Sequence, residues 1–178
     1  MSAALQGDPG SCSHAGGALR RLSSRLESAA ARAAPTSGDI TPGGSEQLWT
    51  GRVGRAIDQR RRALLDAARA TSAQLDRAGS ALQEHSSDLA ESLQELRDLE
   101  GRAAAAGLRL VDGRVELQWG VAGVADADDT TVRLGMRDDL QSQVDRVLLL
   151  LSRRRARLAE TLESARLALA DEAAAVRR

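Results

Sequence analysis

Along most of the 178 residues, apolar positions recur at steps of three and four, the spacing that lines up one face of a helix. From Ala18 onward, Leu19, Leu22, Leu26, Ala29 and Ala33 make such a face. They predict a first helix that stops at Pro35, where the ring removes a donor and restricts the preceding residue. Residues 35–44 are rich in Pro, Gly, Ser and Thr and read as a loop, and Ser45 and Glu46 offer a start to a second helix. That helix carries the longest pattern. Ala68, Leu75, Leu82, Leu89, Leu96 and Ala103 stand seven apart as one row. Ile57, Leu64, Thr71, Ala78, His85, Ser92 and Leu99 form a second. Two sustained heptad rows mark a coiled-coil-like seam, with Leu75, Leu82, Leu89 and Leu96 as its apolar spine. Polar Thr71, His85 and Ser92 make the second row imperfect. A helix over about 53–106 would measure on the order of 80 Å at 1.5 Å per residue. Gly79 and Gly101 are the places where it should bend or fray.

The period then changes. Gly107 suits a helix C-cap. Asp112-Gly113 sits between short alternating runs that include Val115, Leu117 and Trp119, a β-hairpin signal. Residues 120–137 are Gly- and Asp-rich, with a possible third short strand at 131–134. A last helix is expected from Asp138 or Asp139 to Val176, with Asp138 as N-cap. Its rows are Val144, Leu151, Leu158, Ala165 and, interrupted by Arg155, Leu148, Leu162, Leu169, Val176. The predicted fold class is mainly α: an antiparallel helical hairpin with a very long central helix, a small β-hairpin excursion and a C-terminal helix packing back. The segments are a flexible arm (1–13), a helical hairpin (14–107), the β-excursion and loop (108–137) and the C-terminal helix (138–178).

Charge changes this picture by orienting the helices. Arg accounts for all 25 basic residues and balances 25 acidic ones. Acid gathers at Glu84, Asp88, Glu91, Glu95, Asp98 and Glu100, and Arg at 153–155 and 157. If the last helix folds back antiparallel, Arg153–Arg155 fall opposite roughly residues 89–91. Zero net charge without Lys argues against a general nucleic-acid binder. The longest aliphatic run, 147–151, is far short of the roughly 20 residues that span a bilayer. Residues 1–10 lack the basic and apolar regions of a cleavable secretory signal. Tyr and Phe are absent and only two Trp occur, so Leu, Ala and Val must build the core.

Candidate chemistry is sparse. His14 and His85 lie far apart, and lone Cys12 reads as an incidental thiol. Glu84, Asp88 and Glu91 share a helical face but lack a matching set on another helix, so a solvated or Arg-paired face is the better reading. Asp126, Asp128 and Asp129 lack the glycine and glutamate of a calcium loop. Arg60–Arg62, with Asp58 and Asp66 four residues either side of Arg62, reads as a solvated salt-bridged face. No catalytic, cofactor or metal site is expected, and a non-enzyme follows.

One short segment points to a family. Trp49-Thr50-Gly51, at the junction of two heptad-patterned helices, resembles the Trp-x-Gly (WXG) family of helical-hairpin proteins associated with type VII secretion. Gly7-Asp8-Pro9-Gly10 before the first helix, and the passage from Ala103 to Leu108 after the second, are similar to its larger actinobacterial branch. The resemblance covers residues 7–108. It implies a protein acting by helix–helix association with itself or a sister hairpin protein, with a secretion apparatus or a toxin as further partners. It also implies export without a cleavable signal peptide as an alternative to a cytoplasmic location. Trp49 either closes the hairpin by burying a large area or, as the resemblance implies, presents a surface that partners read; Gly51 permits the turn. The family's export signal, a Tyr with an acidic residue four positions later, is missing. His85 takes a position like one where the larger branch often carries Tyr. The alternative is a cytoplasmic coiled-coil scaffold or regulatory subunit unrelated to secretion.

Overall fold

The computed structural model describes residues 7–34, 52–117 and 127–177, with backbone alone at 127–130. The turn residues Trp49 and Gly51, the loop 35–44, the helix start at Ser45 and Glu46, and Trp119 all lie outside the described residues. The elements run α1 (Pro9–Ala33), α2 (Arg52–Ala105), β1 (Leu108–Val111), β2 (Arg114–Leu117) and α3 (Ala127–Arg177). The mainly α class, the long central helix, the small hairpin and the C-terminal helix packing back are all present.

Two boundaries differ from the sequence expectation. Helix α1 begins at Pro9, well inside the expected flexible arm of 1–13. Asp8 caps it, its carboxylate accepting the Gly10 amide at 3.1 Å and the Ser11 amide at 2.9 Å. Proline at the first helical position loses nothing, because its missing donor would have been an orphan there. A hydrogen bond from the Ser11 hydroxyl, followed by those from the Ser11 and Gly10 amides, holds the Asp8 carboxyl below its ordinary value. Helix α3 begins at Ala127, so residues 131–134 are helical and no third strand forms there, and Asp138 is internal rather than a cap. Extending an existing helix adds one hydrogen bond per residue fixed. Thr131 and Val132 therefore join the helix despite their β-branched side chains.

The chain divides into two compact units. In the first, residues 83–105 of α2 and 127–159 of α3 pack antiparallel and the hairpin closes one side. Its core is Leu96, Leu99, Ala103, Leu108, Val115, Leu140, Val144 and Val147. The strands pair Leu108 with Leu117 and Val111 with Arg114. Asp112 and Gly113 both take positive φ (51° and 81°), as a two-residue primed turn needs. Gln141 of α3 pins the turn, accepting the Val115 amide at 2.7 Å and donating to the Gly113 carbonyl at 3.0 Å. Gly107, φ 69°, caps α2 and donates to the Ala104 carbonyl.

The second unit holds α1 from His14, α2 up to Leu82, and α3 from Glu160. Here the expected face of α1 is rotated. Gly16, Ser23 and Ala30 are buried, Leu19 and Leu26 are half-buried, and Leu22 is exposed. Small residues win because the helices approach closely. A Cβ at Gly79 would lie 2.8 Å from the Gly16 carbonyl oxygen and 2.7 Å from Arg20 Cγ. Seven residues along each helix, the Ser23 and Ser72 hydroxyls stand 2.8 Å apart. Each also lies within reach of the other's backbone carbonyl, at 3.0 and 3.2 Å. Gly79 is thus a contact glycine rather than a bend, and α2 runs as helix through both Gly79 and Gly101.

Candidate interaction surface

The α2 seam is where the chain's patterned residues converge. Of the apolar spine, Leu89 and Leu96 are buried while Leu75 and Leu82 are half-buried. Ala78, His85, Ser92 and Leu99 of the second row are all buried. One polar member is accommodated locally. Ser92 returns its hydroxyl to the Asp88 carbonyl at 2.8 Å, the ordinary way for a helical serine to satisfy itself.

Toward the start of α2 the same row opens. Leu64 is 43% exposed and Ile57 52%, and Val53 beside them reaches 61%. Helix lengths explain the gradient. The antiparallel pairs Gly16–Gly79 and Ser23–Ser72, continued at the same step, bring the end of α1 level with Arg62. The Arg60 guanidinium donates to the Val176 carbonyl, so α3 ends at about the same level. Two turns of α2, carrying Val53 and Ile57, therefore project past both neighbours, and Leu64 lies just inside the overlap at the groove's edge. Between α2 and the end of α3 lies a groove of about 300 Å³, lined among others by Ala63, Leu64, Ala67, Ala70, Ala175 and Val176. Alanine on both walls leaves room for another helix to approach at short interaxial distance. The expected Arg60–Arg62 face is salt-bridged in a different register: Asp58 pairs with Arg61 at 3.4 Å and Asp66 with Arg69 at 3.1 Å.

The acidic part of α2 meets the arginine run within the first unit. Arg154 lies 3.2 Å from Asp88 and 3.4 Å from Glu91, and it also reaches the Ser92 hydroxyl at 3.3 Å. Asp88 is the closer and less exposed partner, so it carries more of the interaction than Glu91. Charge reversal in R154E is expected to cost about 1–3 kcal/mol. E91R should restore only a fraction of that, and D88R more. Chemical denaturation of the two double-mutant cycles measures both couplings; a larger coupling to Glu91 than to Asp88 would contradict this geometry.

Among the described residues, no group of three His, Cys, Asp or Glu side chains is placed to hold a metal ion. Asp88 and Glu91 are engaged by Arg154. Asp126 lies outside the described residues, as do the side chains of Asp128 and Asp129. A cleft of about 430 Å³ beside the end of α2 is lined by Ala105, Ala106, Met136 and Leu140; its Arg102 and Gln143 are bonded to each other at 2.8 Å. Cys12 is a free, half-buried thiol. No helix among the described residues is long and apolar enough to cross a membrane.

The sequence reading missed the small-residue contacts, because Gly16, Ser23, Ser72 and Gly79 do not register as hydrophobic. Their seven-residue spacing was the available signal. What the fold defines is a class, a mainly helical protein with one long central helix, a small β-hairpin and a C-terminal helix packing back. No family model, no curated protein and no solved structure matches the chain.

Proposed function

We propose that this is a non-enzymatic helical interaction protein, resembling WXG-type type VII secretion substrates or partners, that acts through helix–helix association. One observation carries the reading: the seam row of α2 is buried from Ala78 to Leu99 yet uncovered at Leu64 and Ile57. A helix from a second copy or from a sister helical-hairpin protein would extend the core along Val53, Ile57 and Leu64. A secretion apparatus or a toxin is a further partner under the same proposal. The site of action is then the cytoplasm, or outside the cell after export without a cleavable signal peptide.

The test is a pair of aspartates, I57D and L64D. Each removes a buried aliphatic contact of about 1.5–3 kcal/mol, so the pair should weaken association at least a hundredfold while far-UV helicity is retained. Sedimentation and co-purification read the result. A wild-type chain that stays monomeric at tens of micromolar, roughly, and brings down no helical partner would sink the reading.

The alternative, a cytoplasmic coiled-coil scaffold or regulatory subunit, rests on α2 itself, an unbroken 54-residue helix whose pattern does not depend on Trp49 and Gly51. Trp49→Ala separates the two. Loss of partner recognition with helicity intact favours the WXG-type reading, and an unchanged partner favours the scaffold.

A further inference from the structure

One titratable group sits inside the seam itself. His85 occupies a row whose neighbours one heptad away are Ala78 and Ser92, and it is only 8% exposed. Its Nδ1 is buried without a hydrogen-bond partner among the described residues. A buried polar atom left unpaired is costly, and a buried positive charge is costlier still unless a carboxylate answers it.

The surrounding charges do not answer it. Burial first, and then the Arg155 guanidinium, hold the His85 imidazole below its ordinary value of 6.5; Asp88 opposes them and Arg154 adds to them. Asp88 is the one carboxylate that favours the imidazolium, and it is already bound to Arg154 at 3.2 Å. Glu91 is turned to the same guanidinium. From the described residues before and at the start of α1, the Pro9 carbonyl and Gly7 pack at this level. The Pro9 carbonyl accepts the Ser86 hydroxyl at 2.7 Å, and Gly7 lies where a Cβ would stand 3.0 Å from Leu89 and 3.6 Å from Arg155. Asp8 is committed to Ser11 and Gly10, and the free Cys12 is half-buried in the same first turn.

We propose that His85, with Arg154, Arg155 and Asp88, forms a pH-sensitive latch between α2 and α3 of the first unit, closed around a neutral imidazole and loosened when mild acid protonates it. Protonation adds a third cation to a cluster whose carboxylates, Asp88 and Glu91, are both already engaged by Arg154. The unfolded chain binds the proton at the ordinary value and the folded chain resists it. Stability is therefore full above 6.5 and is lost as pH falls from there toward the depressed folded value. Carboxylates ordinarily titrate near ~4, below this window, and those of Asp8 and Glu163 are held lower still.

Residue-resolved hydrogen exchange on the full chain, corrected for intrinsic rates, tests the latch between about pH 7.5 and about pH 5.5. Protection around residues 85–99 and 144–155 should fall roughly threefold to tenfold in the wild type. His85→Gln and His85→Leu should both lose that dependence, and His14→Gln, at an exposed site, should keep it. Proton NMR titration of the unmodified chain needs no variant. The His85 midpoint should lie below 6.5, and a midpoint at or above 6.5 overturns the latch. So does a wild type with no loss of protection, or an equal loss in both His85 variants.

Discussion

Leu151→Ala is expected to cost about 2–5 kcal/mol of stability, whereas the same truncation at Leu149 should cost no more than about 0.5 kcal/mol. The two sit in one unbroken aliphatic run, 147–151, and intrinsic propensity treats them alike. Burial does not. Leu151 is 1% exposed and Val147 3%, while Leu149 and Leu150 are 53% and 44% exposed. Truncating Leu151 leaves a cavity on the α2–α3 interface, with a penalty that depends on how far the neighbours collapse. Truncating Leu149 removes surface that was already wet. Denaturant midpoints of the two variants measure the difference; equal effects would mean α3 is rotated about its axis from the arrangement described.

The second large effect is expected at Gly79. Two terms oppose each other in Gly79→Ala. Alanine is the better helix former by about 1 kcal/mol. Against that, its methyl would lie 2.8 Å from a backbone oxygen, Gly16 O, which has no side-chain freedom to move away. Overpacking of this kind typically costs about 1–3 kcal/mol, so Gly79→Ala should destabilise despite the better propensity. Gly79→Leu should cost more and separate α1 from α2 altogether. Gly101→Ala is the control, since nothing stands within 4 Å of its Cβ position. It should stabilise by up to about 1 kcal/mol. Thermal unfolding of the three variants decides the matter, and a stabilised Gly79→Ala would refute the close approach of α1.

Both results bear on the proposed function. If α1 closes on α2 through small residues and ends level with Arg62, the exposure of Ile57 and Val53 follows from helix length, while Leu64 stands at the edge of the overlap. Looser packing would let α1 slide and cover those residues, removing the surface on which helix–helix association is argued.

How far the sequence could be read differs from element to element. The long helix was legible because its heptad rows repeat many times, and only a helix keeps side chains seven apart on one face over such a length. The turn at Asp112-Gly113 was legible because only a few residues tolerate positive φ at both centres. The start of α1 was not, although Asp8-Pro9 is a good cap, because no apolar period begins until Ala18. The strand expected at 131–134 failed for the opposite reason. Its β-branched residues follow a helix already begun at Ala127, and local propensity yields to propagation.

By itself, the sequence determined the helical class, the antiparallel return and the facing of Arg154 toward the acid of α2. These depend on period and charge order, which are written along the chain. Only the tertiary structure decided which face of α1 is inside, that Gly79 serves contact rather than bending, that His85 is enclosed beside two arginines, and where the seam lies open. Each of those depends on interaxial distance and on where neighbouring helices end, and both are set by side chains meeting across the fold.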